Sequence, residues 1–220
     1  MALLASSPAR AEIGGGVSIS TDERFRSQSV SEGHPVASLD LSYDDTSGFY
    51  LAGSASVAID RDSPELASVR GNLGYARNAS PGVVADIGVV RAQYTRYYGR
   101  GYARHYTEIY AGVVAGPWST HLHYSPDYLG YGSVFYADVD AVARPSPNWR
   151  LSAHAGLLLR TARTSAGYGQ MTRYDLRAAA TRRVGAIDLQ LAWSRGGPGR
   201  DARTRRHDRG VIVAAASYSF

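Results

Sequence analysis

The chain of 220 residues is 44% hydrophobic and 20% charged, and it carries a formal net charge of +5. These fractions exclude a disordered chain, and no apolar stretch approaches the roughly 18 residues of a membrane-spanning helix. The absence of cysteine excludes disulfides, thiol catalysis and cysteine-based zinc sites. All 24 basic residues are arginine, which keeps nucleic acid under consideration until the arginines are placed on a fold.

The first eleven residues resemble the end of a secretory signal peptide. Ala9-Arg10-Ala11 fits an A-x-A cleavage site, and residues 2–5 fit the end of an apolar core region. A complete signal has a basic start and a longer apolar stretch, so we interpret residues 1–11 as a remnant of one. An ordinary N-terminal tail is the alternative. The folded domain is then predicted over residues 12–220.

From Ile13 onward the chain alternates apolar and polar residues with period two, which is typical of β-strands with one apolar face. In the segment 48–60, Phe49 and Leu51 lie on one face and Tyr50 and Ser54 on the other. The pattern recurs at 39–43, 69–75, 83–89, 108–113, 118–124, 135–141, 150–160, 173–180 and 187–193. With a first strand near 13–26 and a last at 209–220, the sequence predicts twelve strands.

The connections alternate between short turns and longer, more polar links. Short turns are predicted at 45–48, 78–82, 116–117, 145–148 and 184–185, and long links at 27–34, 61–65, 98–104, 126–132, 162–171 and 196–208. Outer-membrane barrels alternate in this way, with short periplasmic turns and long extracellular loops. We therefore predict an all-β fold, a closed antiparallel transmembrane β-barrel of twelve strands in an up-and-down meander, located in the outer membrane with both termini periplasmic. A soluble β-sandwich or lipocalin-like barrel is the alternative.

Aromatic residues near the predicted strand ends are typical of the girdles that lie at membrane surfaces. The candidates are Phe49, Tyr75, Trp118, Trp149, Trp193, Tyr218 and Phe220. Outer-membrane lipid and lipopolysaccharide are the partners expected for such a surface.

The polar faces of the predicted strands would line a lumen, because a charge facing lipid at mid-membrane costs roughly 2–4 kcal/mol. The candidate lumen residues are Arg24, Arg26, Asp40, Asp60, Arg70, Asp86, Glu108, His121, His123, Asp138, Asp140, Arg150, His154, Arg160, Arg173, Asp175, Arg177 and Asp188. One interpretation is a charged pore that selects small solutes. The other is a lumen closed by pairs of arginine and carboxylate, since an unpaired charge in a narrow interior is costly.

The last strand, 209–220, ends in Phe220 behind alternating apolar positions. It resembles the C-terminal signature of Gram-negative outer-membrane proteins. The resemblance implies that the barrel assembly machinery recognises the C-terminal Phe220.

A second resemblance begins at residues 20–31, Ser-Thr-Asp-Glu-Arg-Phe-Arg-Ser-Gln-Ser-Val-Ser, followed by Pro35. This stretch resembles the opening motif of the TorF-type porin family. Further similar pieces follow in the same order at 86–88, 94–95, 108–112, 125–128, 154–156 and 174–176. The sequence departs from the pattern at Glu23 and Ser27, where an aromatic residue and a glycine are expected, and at Tyr97-Tyr98, where proline is usual. The resemblance implies an outer-membrane barrel proposed to be a channel, with no established substrate.

Three other features of the sequence could indicate a hydrolase, a metal site or an anion-binding loop. A lipid hydrolase at the membrane rim would need Ser152 and His154 with Asp138 or Asp140, but no nucleophile motif surrounds the serine. His121 and His123 could chelate a metal, but the pattern favours solvated lumen histidines. The arginines at 200–209 lie in the last long link without a recognition helix, which argues against a nucleic-acid patch. They could bind lipopolysaccharide or attract anions to the mouth, and an ordinary solvated loop explains them equally.

The sequence therefore predicts a passive channel for small solutes, without an enzymatic activity, cofactor, metal or nucleic-acid partner. A non-conducting structural or surface-interaction barrel is the second interpretation, and the rim hydrolase a distant third. A monomer and a homo-oligomer fit the sequence equally.

Overall fold

The computed structural model describes residues 11–60, 63–95, 103–130, 132–161, 172–197 and 210–220. Within these residues the strands are β1 (Glu12–Ser20), β2 (Arg24–Phe25), β3 (Gln28–Ser29), β4 (Val36–Asp44), β5 (Phe49–Ile59), β6 (Pro64–Ser80), β7 (Val83–Tyr94), β8 (Arg104–Ala115), β9 (Trp118–Ser125), β10 (Val134–Ser146), β11 (Trp149–Arg160), β12 (Thr172–Val184), β13 (Ile187–Gly197) and β14 (Val211–Ser219). All except β2 and β3 form one closed antiparallel barrel. The predicted twelve-stranded meander is confirmed. No helix in the described part of the chain is long and apolar enough to cross a membrane.

The barrel closes where β1 pairs with β14. Gly16 lies opposite Ser219 and Ser20 opposite Ala215, and beyond this ladder Gly15 and Phe220 exchange backbone hydrogen bonds of 3.0 and 2.9 Å. Because each barrel strand has two paired neighbours, the sheet has no open edge.

Large apolar side chains cover the outside of the barrel. Ile87, Leu122 and Leu191 are 59%, 54% and 62% exposed in the middle of their strands. Between them the alternate residues point inward and are mostly serine, charged residues, histidine or tyrosine. The buried core therefore lies inside the barrel, and the outer face is suited to lipid.

The turns separate two rims. Short connections lie at 45–48, 81–82, 116–117, 147–148 and 185–186, and the start of β1 at Glu12 and the C-terminal Phe220 lie at the same rim, so we call this the short-turn rim. The other connections lie between strand ends at the opposite rim, which we call the long-link rim; the one at 60–63 has four residues, as many as that at 45–48, and the others are longer. Gly48, Gly82, Gly116 and Gly185 have positive φ angles, which the tight turns require.

One expectation is wrong. The first strand ends at Ser20 instead of continuing to residue 26, and residues 21–35 fold into the lumen from the long-link rim. We call residues 21–35 the plug; its centre is the hairpin of β2 and β3. Arg24 and Arg26 therefore belong to the plug and not to the barrel wall. The apolar–polar alternation could not predict the plug, because strands of two residues are too short to show a period of two.

Substitution at two depths on the lipid-facing surface tests this orientation. Ile87→Arg places a charge at mid-strand and should lower the free energy of unfolding by about 2–4 kcal/mol. Ile13→Arg, at the short-turn rim, should cost about 0–1 kcal/mol. Denaturant unfolding in lipid vesicles measures both, and equal losses would contradict the assignment of depth.

Candidate functional site

The tip of the plug has an unusual backbone. Arg26 and Ser27 join β2 to β3 with φ angles of +47° and +59°, the left-handed pattern of a two-residue hairpin turn. Non-glycine residues adopt it at a cost of about 1–3 kcal/mol each, so tertiary contacts must hold them there. Ser27 Oγ donates to the carbonyl of Arg195, at 2.9 Å, and lies 3.0 Å from Ser194 Oγ. Glycine at position 27 would lack both contacts.

The Arg26 side chain reaches β8, on a different part of the barrel wall from the β13 contacts of Ser27. Its guanidinium donates to both carboxylate oxygens of Glu108 on β8, at 2.9 and 2.8 Å. Glu108 is 2% exposed, and the guanidinium also lies 3.7 Å from the centre of the Tyr136 ring. A buried, bidentate pair of this kind is strongly destabilised when one partner is lost. Together with Ser27, it joins the plug to two distant walls.

Aromatic rings fill the lumen around the plug. Phe25 lies 5.2 Å from Tyr94 and 5.4 Å from Tyr106, measured between ring centres. Tyr106 lies 5.3 Å from Tyr128, which comes from the link between β9 and β10. These contacts, together with buried Leu129 in the same link, form a packed cluster inside the lumen toward the long-link rim.

Acidic residues of the plug are held by hydroxyl groups. Asp22 accepts hydrogen bonds from Ser29 and Ser31, at 2.6 and 2.8 Å, and pairs with Arg24 at 2.8 Å. Glu23 accepts from Ser56 and Ser68 on the barrel wall. Burial raises the pKa of Glu23 above its ordinary 4.5, although these two hydrogen bonds oppose the shift.

A wall formed by β7–β12 is packed with paired ionisable groups; we call it the packed wall. His121 contacts Asp86 at 3.3 Å, and His123 contacts Asp138 at 3.0 Å. His154 lies 2.9 Å from Asp140 and 2.9 Å from Asp175.

Glycines on neighbouring strands make room for inward rings on β5 and on the packed wall. Each lies beneath an aromatic side chain at a position where a Cβ atom would clash: Gly74 beneath Tyr50, Gly88 beneath Tyr110, Gly112 beneath His121 and Gly156 beneath Tyr136. The rings can therefore lie flat against the wall. The pattern accounts for part of the glycine content of the chain.

The wall formed by β14, β1, β4 and β5 is different, and we call it the open wall. Most of its inward side chains are small, with Tyr50 on β5 the large exception, and beside it lies a cavity of about 630 Å³. The residues lining the cavity include Gly14, Gly16, Ser18, Asp40, Ser42, Ala52, Ser54, Arg70, Asn72, Ser217 and Ser219. The plug begins where the cavity ends, since its contacts Ser56 and Ser68 lie two residues from Ser54 and Arg70 along their strands.

The structure distributes the predicted lumen residues among these parts. Arg24 and Arg26 lie in the plug, and Glu108 and the histidine–carboxylate groups described above lie on the packed wall. Asp40 and Arg70 face the cavity. Arg150 and Asp188 lie near the short-turn rim, whereas Arg160 and Arg173 occupy the inward register toward the long-link rim. Asp60 follows β5 and lies 3.9 Å from His34 of the plug. Arg177 donates to Gln190.

Several residues of the site were not predicted. Tyr50, Asn72, Tyr110 and Tyr136 take part in the lumen hydrogen bonds. Their period-two positions place them on the polar, inward faces, so alternation predicts that they face the lumen, as it does for the charged residues and histidines. Phe25 has no such signal, because it belongs to the irregular plug.

Six of the seven predicted interface aromatics lie at the short-turn rim. Phe49, Tyr75, Trp118, Trp149, Tyr218 and Phe220 all come within a few residues of a short turn or the C-terminus. Trp193 is also on the outer face but lies in the half of β13 nearer the long-link rim, opposite Ile212. Toward the long-link rim, Tyr124 and Phe135, which were not among the seven, occupy the outward register with their ring centres 5.0 Å apart.

The other predicted sites receive less support. Both ring nitrogens of His154 contact carboxylates, and no hydrogen bond joins Ser152 to it among the described residues. In the same part of the chain, no group of three or more histidine or acidic residues could hold a metal ion. The arginines at 200–209, and Tyr97-Tyr98, lie outside the described residues.

A closed barrel that is apolar outside and polar within has the architecture of outer-membrane β-barrel proteins. The chain belongs to the Gcw_chp family, described as bacterial proteins of unknown function, whose profile matches residues 4–194. This match does not name the TorF-type family, so that resemblance stays a prediction. No curated protein sequence matches the chain.

Several solved porins share the fold. The KdgM porin is 10% identical with a TM-score of 0.57, over 94% of this chain and 99% of that chain. The NanC porin is 10% identical with a TM-score of 0.56, over 95% and 99%. The COG4313 outer membrane channel from Pseudomonas putida F1 is 13% identical with a TM-score of 0.53, over 97% and 96%.

Removing Arg26 tests how firmly the plug is held. Arg26→Ala leaves Glu108 buried without its main partner and should cost about 3 kcal/mol of unfolding free energy. Adding Glu108→Gln should recover part of the loss, because the buried charge disappears. Arg183→Ala, which breaks the exposed pair with Asp188, is the matched control and should cost less than about 1 kcal/mol. Guanidinium unfolding in detergent micelles compares the native chain with Arg26→Ala, Glu108→Gln, the double variant and Arg183→Ala. If the losses of the two single variants simply add in the double variant, the coupling is contradicted.

Glu23 should make stability depend on pH. Its pKa is higher in the folded protein than in the unfolded chain, so folding favours its protonated form. The stabilising contribution is complete below pH 4.5 and is lost as the pH rises through the raised folded value. Glu23→Gln should remove this dependence. Unfolding midpoints at pH 4.5 and 7.5 for both chains measure it, and identical shifts in both would contradict the assignment.

Proposed function

We propose that the protein is a narrow outer-membrane porin that lets small solutes diffuse passively along the open wall. The single observation that carries this function is the cavity of about 630 Å³ beside that wall, inside a closed barrel. Small side chains leave this space free, whereas rings and paired charges line the packed wall. The long-link rim would be extracellular and the short-turn rim, with both termini, periplasmic.

The distribution of charged side chains in the lumen supports solute selectivity along the open wall. The five carboxylates of the packed wall, including Glu108, each contact a histidine or Arg26. Asp40 and Arg70 are exposed to the cavity. A solute moving along the open wall would therefore meet these two charges.

The plug favours a second function, a barrel that does not conduct. Phe25 and Arg26 occupy the outer lumen, and their contacts with Tyr106 and Glu108 are buried. A solute that enters from the long-link rim must pass this obstruction. On this alternative the barrel would act as a structural or surface-interaction protein, with lipid and lipopolysaccharide as its partners.

Shortening the plug distinguishes the two functions. Ser20 pairs with Val36, so a turn of about two to four residues can replace residues 22–34 without straining the ladder. We expect unitary steps from the native chain in planar bilayers, and steps at least about twofold larger from the shortened chain.

Heat-modifiable mobility on a detergent gel is the control that both chains form closed barrels. If both migrate as barrels and neither conducts, the porin function is wrong and the non-conducting alternative holds. If both conduct equally, the plug does not obstruct the path.

A further inference from the structure

Two opposite charges face the cavity without joining each other. Asp40 on β4 lies opposite Ser54 on β5, and Ser54 lies opposite Arg70 on β6. Two strand spacings therefore separate Asp40 from Arg70, roughly 10 Å between their Cα atoms. No ion pair joins either of them to another of the described residues, although both line the same cavity.

This arrangement differs from the charge pattern elsewhere in the lumen. On the packed wall the carboxylates lie within 3.3 Å of a histidine nitrogen or an arginine nitrogen. At the short-turn rim, Arg183 and Asp188 pair at 2.8 Å. Asp40 and Arg70 instead leave a gap between a negative and a positive group that a ligand can occupy.

The surface between and around the two charges can form hydrogen bonds. Ser42, Ser54 and Ser219 present hydroxyl groups, and Gly14 and Gly16 leave space beside them. Hydroxyl groups donate and accept, so they can solvate either end of a polar ligand. A volume of about 630 Å³ is enough for a molecule of the size of an amino acid or a dipeptide.

We propose that this cavity binds a small zwitterion with the chemistry of a free amino acid, its ammonium group on Asp40 and its carboxylate on Arg70. The proposal rests on the porin function and names its solute class. A zwitterion gains both attractions, whereas a monoanion or a monocation gains one and is repelled by the other charge. A neutral polyol gains only hydrogen bonds.

The nearby part of the plug strengthens the discrimination against anions. Glu23 lies on the same side of the lumen, bound to Ser56 and Ser68, and interacts electrostatically with Asp40. An anion that binds Arg70 therefore lies near two acidic groups. An ammonium group is attracted toward the same region.

The test uses three probes of four carbons at pH 7: threonine as zwitterion, erythritol as neutral polyol and 3-hydroxybutyrate as anion. In planar bilayers, threonine should interrupt the unitary current of the native chain at a concentration about three- to fivefold lower than the other two. Asp40→Asn and Arg70→Gln should each abolish this preference.

Two further variants make the test specific. Exchanging the charges, with Asp40→Arg and Arg70→Asp in one chain, should restore the preference for threonine, because a zwitterion can bind in the reverse orientation. Arg77→Gln removes the same kind of charge from the outward register of β6, opposite Ala85, and should leave the preference unchanged.

The outcomes separate this proposal from the porin function. Current without a preference for threonine, or a preference that survives both single substitutions, overturns the zwitterion site. If neither the native nor the plug-shortened chain conducts, the porin function fails. The site is then decided by calorimetric titration of the detergent-solubilised protein with threonine, where binding by the native chain and not by Asp40→Asn supports it and absence of binding overturns it.

Discussion

Every backbone N–H and C=O group that faces the hydrocarbon layer must be paired within the protein, because lipid offers no hydrogen-bonding partner. The pairing of β1 with β14 meets this requirement by closing the sheet. Closure also determines the interior. A ring of twelve strands is wider than the small barrels that their own side chains fill, so the chain has to supply additional groups or leave space. It does both.

The packed wall fills the lumen and the open wall leaves space, and the difference comes from the size of their inward side chains. Where glycines such as Gly112 and Gly156 alternate with rings, the interior is filled and its carboxylates are paired. Where serine and glycine predominate, as between Gly14 and Ser18, the interior stays free. The plug adds a third part and occupies the outer lumen. The local choice between glycine under a ring and serine without one thus decides where solute could pass.

The fold was predictable from sequence because a lipid-facing barrel imposes a strict period of two on every strand. The short turns were predictable for a related reason, since glycine at positions such as Gly48 supplies the positive φ angle. The plug was not predictable in this way. Its residues have no period, and its decisive contacts join Arg26 to Glu108, 82 positions away, and Ser27 to Arg195, 168 positions away. The opposition of Asp40 to Arg70 likewise depends on strand register and on the absence of nearby partners.

The contacts of the plug tip also bear on how the barrel assembles. Ser27 follows the first strand closely in sequence, yet it binds Ser194 and Arg195 on β13, the neighbour of the last strand. Bringing the two ends of so long a chain together is opposed by conformational entropy, which grows with the length of the loop that is closed. A plug that docks before β1 meets β14 has already brought β13 to the N-terminal end of the sheet, so only a short segment remains to be positioned. The plug would then serve first as a tether during folding, and the seam would close last.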